Sequence, residues 1–288
     1  MHSLYNLNIP FSIHGRFHVY VTLLFLLLIS SCKPNDDFPD GTEFQTSVDC
    51  SIAWGEFAAI RTLVEMEAMD DTAIWKGGSG KVSAAFCQSA TADVTVTGVN
   101  QATLILDFGN GCSCLDGRTR SGKLICEFNG RWRQSGSTLQ IAPEDYTMNS
   151  IPVVFSLSAT NLGLDPESKP HWDVQVASAT FHTSGGTISW GSSAVVSWTA
   201  GDNTPGIFTD DEYSLAGTAS GKTRMQLAFD AQIAEKLVWT SNCGNMIRGR
   251  LEINPENLQL RTLDYGEGTC DNLATLWIGD WSAPLSLF

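Results

Sequence analysis

The sequence predicts a mainly β fold: an antiparallel meander of long strands forming a sandwich or a partly open barrel, with one N-terminal α-helix. Beyond residue 120, apolar and polar residues alternate with the period of two that is typical of strands with one buried face. Segments rich in Gly, Asn and Asp separate the alternating stretches and indicate turns. No helical pattern connects the strands, so a parallel sheet is not expected.

Five stretches carry this alternation: 123–133, 188–199, 224–230, 247–253 and 258–261. The turn signals are at 184–186, 201–203, 254–257 and 266–268. Trp190 and Trp198 fall on the apolar face of their strand, so we expect both in the core.

The helix is predicted over residues 50–69. Its apolar residues recur at spacings of three or four, on one helical face: Ala53, Phe57, Ile60, Val64 and Ala68. Asp49 is a suitable N-cap residue, and the Asp70-Asp71 pair followed by two glycines indicates the end. We expect this helix to cover one end or one edge of the sheet.

The first 31 residues have the pattern of a signal peptide. Arg16 precedes an apolar run that is shorter than the roughly 20 residues a transmembrane helix needs. The run ends in Leu28-Ile29-Ser30-Ser31-Cys32, which resembles a bacterial lipobox, so Cys32 is the predicted lipidation site. Several acyl chains on Cys32 would hold the protein stably at a membrane. The predicted organisation is a signal peptide (1–31), a lipid-anchored tether (32–48) and a single domain (49–288).

The segment directly after Cys32, Lys33-Pro34-Asn35-Asp36-Asp37, resembles the surface-export signal of Bacteroidota-type lipoproteins. It favours an outer-membrane lipoprotein that is exposed on the cell surface. An orientation towards the periplasm stays open.

The charge of the chain excludes one class of partner. The net charge is −14, and removal of the signal peptide takes away Arg16 and no acidic residue. The mature protein then has 16 Lys and Arg against 31 Asp and Glu, a charge of about −15. So negative a surface repels phosphate backbones, and nucleic acid is not an expected partner.

Two similar phrases contain cysteines and form a weak internal repeat. Residues 106–112 read LDFGNGC and residues 263–270 read LDYGEGTC, and one cysteine precedes each phrase at a similar distance. We therefore predict the disulfides Cys87–Cys112 and Cys243–Cys270 in an oxidising compartment. Cys114 in place of Cys112 stays open, as does a Cys114–Cys126 bridge. Seven cysteines remain besides Cys32, so at least one is free or pairs between chains, and Cys50 is left over.

These phrases, with their continuations through Lys123 and Thr275, resemble a family of uncharacterised Bacteroidota-type lipoproteins. The resemblance extends from about residue 50 to 279. It implies an envelope location and the same fold class, and it implies no catalytic residue. The chain departs from the family pattern at Leu273, where a Lys is usual, and in its additional Cys114 and Cys126.

Sequence motifs for nucleotide binding, metal binding and thiol redox chemistry are absent or lie in an unsuitable structural context. Residues 216–223 fit a loose P-loop pattern, but the next residues alternate like a strand instead of forming the required helix. The sequence has no His-Glu-x-x-His and no Cys-x-x-Cys, and Asp107, Asn110 and Asp116 are more typical of turns than of a Ca²⁺ loop. We expect neither a cofactor nor a metal.

Two functional hypotheses follow. The first is a non-catalytic envelope lipoprotein that binds a glycan or an envelope protein, or supports the envelope. Trp277 and Trp281 are the candidates for stacking on such a ligand. The second is a hydrolase of glycans or other envelope polymers, for which acidic pairs such as Asp210-Asp211 would supply the two carboxylates.

Overall fold

The structure is a computed structural model that describes residues 44–68, 78–81, 86–204 and 207–287. The predicted signal peptide, Cys32 and the first part of the tether lie outside these residues. All described residues belong to one compact unit, Gly41–Phe288, so a protein that starts at residue 33 keeps every contact described below. No helix within the described ranges is both long and apolar enough to cross a bilayer.

The described chain is mainly β, with 60% of residues in strands, which confirms the predicted fold class. The helices are α1 (Gln45–Ala68) and a single 3-10 turn, Phe208–Asp210. The strands are β1 (Gly78–Lys81), β2 (Thr91–Gly98), β3 (Gln101–Asp107), β4 (Cys112–Ser113), β5 (Thr119–Asn129), β6 (Thr138–Met148), β7 (Ile151–Leu164), β8 (Pro170–Thr183), β9 (Gly186–Ala200), β10 (Glu212–Lys222), β11 (Ala228–Thr240), β12 (Arg248–Pro255), β13 (Arg261–Glu267), β14 (Leu273–Ile278) and β15 (Trp281–Ser286).

Fourteen of these strands form a single antiparallel meander in chain order, and the short β4 pairs with β5 beside it. The architecture is therefore one sheet and not a two-sheet sandwich. The sheet is not closed, because β1 and β15 lie at opposite ends of the hydrogen-bonded path.

The sheet curls around α1, and the predicted position of the helix at one end or edge is wrong. The aromatic ring of Phe57 contacts Phe155 on β7, and the ring of Trp54 contacts Trp190 on β9. Further side-chain contacts reach β5 and β6 through Glu56, β11 through Thr62, and β13 through Ser51. Residues 46–66 are buried on every side of the helix except at Val48, which is half-buried.

The helix begins at Gln45, four residues before the predicted N-cap Asp49, so residues 45–48 of the predicted tether are helical. Asp49 lies inside the helix and is fully buried. Its carboxylate accepts hydrogen bonds from the Arg224 backbone amide (2.9 Å) and from Arg224 Nε (2.8 Å). This partner lies 175 residues away in the chain, and it occupies the oxygens that a capping role would need.

The strands turn one face towards α1 and the other towards solvent. Trp190 and Trp198 are in the core, as predicted. Two alternating stretches are strands only in part: Met225 lies in the β10–β11 turn while Phe229 is buried on β11, and Leu258 and Leu260 lie in the β12–β13 turn just before β13. Met225 and Leu260 are exposed there, because a turn does not return its apolar residues to the core.

The internal repeat is present in three dimensions. Asp107 Oδ1 accepts a hydrogen bond from the Gly109 amide (2.8 Å), and Asp264 Oδ1 accepts one from the Gly266 amide (2.9 Å). Both glycines have positive φ, at 59° and 82°, the conformation in which glycine meets no steric cost. The two phrases therefore fold into the same Asx turn.

Cysteine pairing follows one prediction and corrects the other. Cys243 is bonded to Cys270, as predicted, whereas Cys87 is bonded to Cys114 and Cys112 is free. Both bonds span 27 residues, so equal spacing in the two repeats identifies Cys114, although Cys112 lies in the matching phrase.

We expect Cys87→Ser to lower the free energy of unfolding by about 3.5 kcal/mol, since a bridge over this span restricts the unfolded chain by that amount in the loop-entropy model. Cys112→Ser should cost about 1 kcal/mol or less, because it removes no bond. Urea unfolding of both variants without reductant measures the difference. A Cys112→Ser protein as unstable as Cys87→Ser would contradict the pairing.

Candidate functional site

A cluster of buried charges joins α1 to β5 and β6. Arg120 Nη2 lies 2.7 Å from Asp116 Oδ2 and 3.2 Å from Glu56 Oε2, and Arg120 Nε donates to Tyr146 Oη at 3.0 Å. Arg118 Nη1 donates to Asp116 Oδ2 at 3.1 Å. Two positive and two negative side chains thus neutralise one another in the interior.

The cluster is tightly enclosed. A Cβ atom at Gly55 would lie 2.7 Å from Arg118 Nη2, and one at Gly244 would lie 2.3 Å from the Asp116 carbonyl oxygen. Burial opposes the ionisation of Asp116, but the charges and hydrogen bonds of Arg120 and Arg118 outweigh it and lower the pKa of Asp116 to about 2. Burial, and then the charge of Glu56, raise the pKa of Tyr146 well above its ordinary value. At neutral pH the Asp116 side chain is therefore ionised and the Tyr146 side chain is neutral.

A second buried cluster surrounds the C-terminal half of α1. The Arg61 guanidinium lies 4.5 Å from the ring centre of Trp172 and 5.0 Å from that of Tyr213, and Arg61 Nη1 is 2.8 Å from Glu65 Oε2. Burial raises the pKa of Glu65, which Arg61 partly offsets. A cavity of about 20 Å³ beside Arg61 has room for one water molecule.

Asp211 belongs to this second cluster. Its Oδ1 accepts a hydrogen bond from Trp198 Nε1 at 3.1 Å, and burial together with the charge of Glu65 raises its pKa to about 7. Asp210, by contrast, is exposed and accepts a hydrogen bond from Thr204 Oγ1. The predicted Asp210-Asp211 pair is therefore divided between surface and interior and does not form a two-carboxylate site. Asp116 lines a small pocket of about 100 Å³, but its side chain is 1% exposed and its carboxylate is held by Arg118 and Arg120.

The outer face of the sheet has a more accessible arrangement. Cross-strand pairing aligns one outward-facing residue from each strand between β6 and β14 into a continuous row. The members of this polar row are Gln140, Ser158, Gln175, Ser193, Thr218, Gln232, Glu252, Thr262 and Trp277. All nine are exposed or half-buried, and Trp277 is 44% exposed. Strands lie about 4.8 Å apart, so the part from Ser193 to Trp277 is roughly 24 Å long.

A groove of about 580 Å³ follows the middle of the polar row. Its second wall is a parallel row in which Gly191, Ser220, Asp230 and Asn254 are paired across β9–β12. Small residues at Ala177 and Gly191 lower the floor on β8 and β9. Both β8 and β10 carry register shifts in this region, and such bulges bend a strand locally.

The groove is lined by groups that recognise hydroxyls. Amides and hydroxyls both donate and accept hydrogen bonds, and the carboxylates of Asp230 and Glu252 accept them. Beside the groove, the Gln175 amide of the polar row is held in one orientation, because its Nε2 donates to Ser193 Oγ (2.8 Å) and to Asp173 Oδ1 (2.9 Å). Among the described residues, the groove lining contains no Lys or Arg.

Asp230 and Glu252 face solvent from neighbouring strands. Asp230 is paired with Asn254 and Gln232 with Glu252, so the two acidic residues are diagonal neighbours on one face. Such neighbours lie about 7–8 Å apart, with their Cβ atoms somewhat closer. Side chains that extend from positions at this distance can reach the carboxylate spacing of inverting glycosidases, about 6.5–9.5 Å.

The remaining predicted site residues are dispersed. Trp281 is half-buried, with its ring centre 5.7 Å from that of Phe44, so it packs against the core instead of facing solvent. Asp107 is held in its Asx turn and Asp116 in the buried cluster, so they do not converge on one ion. Residues 216–223 lie on β10 and its turn, which is not a P-loop context. Cys32 lies outside the described residues.

Sequence reasoning missed most of the polar row. Gln232 and Glu252 occupy ordinary outward positions of amphipathic strands and resemble any solvated residue. The signal that identifies them is strand register, which aligns them with Trp277. Register is not readable from periodicity alone.

Comparison of the chain with protein-family models, with curated proteins and with solved structures found no match.

We expect Asp116→Asn to lower the free energy of unfolding by about 3–5 kcal/mol at pH 7, because it leaves the two buried cations Arg118 and Arg120 with Glu56 as their one remaining buried counter-charge. The pKa of Asp116 is about 2 in the folded protein and near 3.9 in an unfolded chain. Its ionised form therefore stabilises the fold above about pH 4, and this contribution is lost as the pH falls towards 2.

Urea unfolding at pH 7 and pH 3, followed by tryptophan fluorescence, measures this. Asp107→Asn is the matched control, since an exposed Asn side-chain oxygen also accepts the Gly109 hydrogen bond. An Asp116→Asn protein as stable as the control at pH 7 would show that the cluster does not hold the fold.

Proposed function

We propose that this protein is a non-catalytic lipoprotein of the cell envelope that binds neutral polysaccharide along the outer face of its sheet. In this proposal Cys32 carries the acyl chains, and the segment that follows it tethers the domain to the outer membrane. The lipobox-like sequence before Cys32 and the acidic segment after it support that location.

The observation that carries the proposal is the alignment of the groove with Trp277. Hydroxyl, amide and carboxylate groups line the groove, and the exposed indole lies two strands beyond Glu252 in the same row. Two strand spacings are roughly 10 Å. A polymer of sugar rings could place hydroxyls in the groove and one ring against Trp277.

The charge of the groove selects the class of polymer. Asp230 and Glu252 contribute negative charge, and the described part of the chain places no basic residue in the groove lining. The chain as a whole is also strongly acidic. Uronate-containing or phosphorylated polymers would be repelled, so neutral glycans are the proposed ligands.

The solvent exposure of Asp230 and Glu252 favours binding of a glycan over its hydrolysis. A glycosidase needs one carboxyl group that keeps its proton near neutral pH, and burial in an apolar pocket usually provides this. Asp230 is exposed, Glu252 is half-buried, and the groove is lined mainly by polar residues.

We expect a protein starting at residue 33 to bind at least one soluble neutral polysaccharide among a β-glucan, a mannan and a dextran. Trp277→Ala should weaken that binding at least tenfold, about 1.4 kcal/mol, because it removes the stacking surface. Gln232→Ala should weaken it through loss of hydrogen bonds within the groove. Affinity electrophoresis and isothermal titration calorimetry measure both.

Leu273→Ala is the matched control, because Leu273 is 52% exposed on the same strand but lies outside the polar row. Binding to none of the three polymers, or equal effects of Trp277→Ala and Leu273→Ala, would rule out the proposed surface.

Hydrolysis of the same polymers is the second candidate, and the spacing of Asp230 and Glu252 favours it. If the pair is catalytic, the protein releases reducing ends, and Asp230→Asn and Glu252→Gln each lower the rate at least a hundredfold while binding persists. If the protein only binds, no reducing ends appear above background. An assay of reducing-sugar release separates the two functions.

A further inference from the structure

Three cysteine side chains meet beside the first repeat phrase. The Sγ atoms of Cys87, Cys112 and Cys114 all lie within 4.8 Å of one another. All three residues are buried, with exposed fractions of 1%, 5% and 8%. Cys87 and Cys114 are joined by a disulfide, and Cys112 is a free thiol beside it.

This group distinguishes the two halves of the repeat. Cys243 and Cys270 form the equivalent bond, and among the described residues no third ligand-type side chain joins them. Cys126 is also a free and buried thiol, but it does not belong to the group of three. The additional thiol at Cys112 is not needed for the disulfide framework.

The spacing suits coordination of one ion. Three sulfurs that surround one ion in a plane, with metal–thiolate bonds of about 2.3 Å, lie roughly 4 Å apart. Opening the disulfide lets Cys87 and Cys114 separate towards this value, and Cys112 is within 4.8 Å of both. Structural zinc sites almost always use four ligands, whereas this group contains three, all of them soft thiolates.

We propose that Cys87, Cys112 and Cys114 form a three-thiolate site for Cu(I), which becomes available when the Cys87–Cys114 disulfide is reduced. The proposal is independent of glycan binding, because the polar row begins on β6 and lies on the outward face of the sheet.

A cation lies next to the group. Cys112 on β4 is paired with Arg120 on β5. The Arg120 guanidinium also pairs with Glu56 and Asp116, so it would offset only part of the negative charge that three thiolates bring to a monovalent ion.

The opening step needs a dithiol reductant. Its two thiols transfer two electrons and two protons to the Cys87–Cys114 bond, which breaks into two thiols, and the reductant becomes a disulfide. Binding of Cu(I) then displaces the protons of the three thiols and forms three copper–sulfur bonds, with no change in the oxidation state of copper.

The experiment uses the protein starting at residue 33, reduced and then titrated with Cu(I) without oxygen, in competition with bicinchoninate. The reduced protein should take up one tightly bound ion, and the non-reduced protein should take up none with comparable affinity. X-ray absorption at the copper edge should show three sulfur neighbours.

Cys112→Ser should weaken binding at least a hundredfold, because only two thiolates remain. Cys126→Ser is the matched control, since it removes a buried free thiol outside the group, and it should bind like the unchanged protein. Cys270→Ser tests the second dithiol and should also keep the tight site.

Two sulfur neighbours, or undiminished affinity of Cys112→Ser, would overturn the proposal. Loss of binding in Cys270→Ser alone would move the site to the second repeat and overturn it as well. Because the polysaccharide assays need neither reductant nor copper, failure of this site leaves the result on the polar row unchanged.

Discussion

The structure depends on burying a helix that carries charge. Glu56, Arg61 and Glu65 lie on α1 with almost no solvent exposure, and an unpaired charge in such a position costs several kcal/mol. Glu56 accepts hydrogen bonds from Arg120 and Tyr146, and Arg61 forms an ion pair with Glu65 and lies over two aromatic rings. The partners outside the helix come from β5, β6, β8 and β10. The sheet must therefore curl until it surrounds the helix, and the curl separates a sealed inner face from an outer face that is free to differ in chemistry.

This division explains where a ligand can bind. The inner side chains are committed to packing and to charge pairing, and glycines such as Gly55 and Gly244 are required for the close approach around Arg118. Outward-facing side chains contribute neither to core packing nor to buried charge pairing, so hydroxyl, amide and acidic residues can accumulate there without loss of stability. Small residues on β8 and β9 then turn part of a convex surface into a groove. The stable interior and the recognition surface use alternate residues of the same strands.

Local patterns predict the strands well, because the alternation around Trp190 or Phe128 depends only on neighbouring residues. They fail where a partner is distant. The polar residues of α1 resemble a solvated face, and only contacts with β5, β6 and β10 show that this face is buried. Cys112 occupies the position that the repeat phrase predicts for the disulfide with Cys87. The structure forms that bond with Cys114 instead, which preserves the 27-residue spacing of the second repeat. The alignment of Gln232 and Glu252 with Trp277 depends on register, which bulges alter and periodicity does not record.

The enclosed helix has a consequence for how the chain acquires its fold. Ser51 contacts Tyr265, and Asp49 contacts Arg224, across separations of 214 and 175 residues. A chain delivered amino terminus first presents α1 long before the strands that must surround it. Loop-closure entropy is lost before such remote contacts compensate for it, which slows folding. Assembly of the native core therefore has to wait until nearly the whole domain has emerged, and until then the apolar helix surface is open to aggregation and proteolysis.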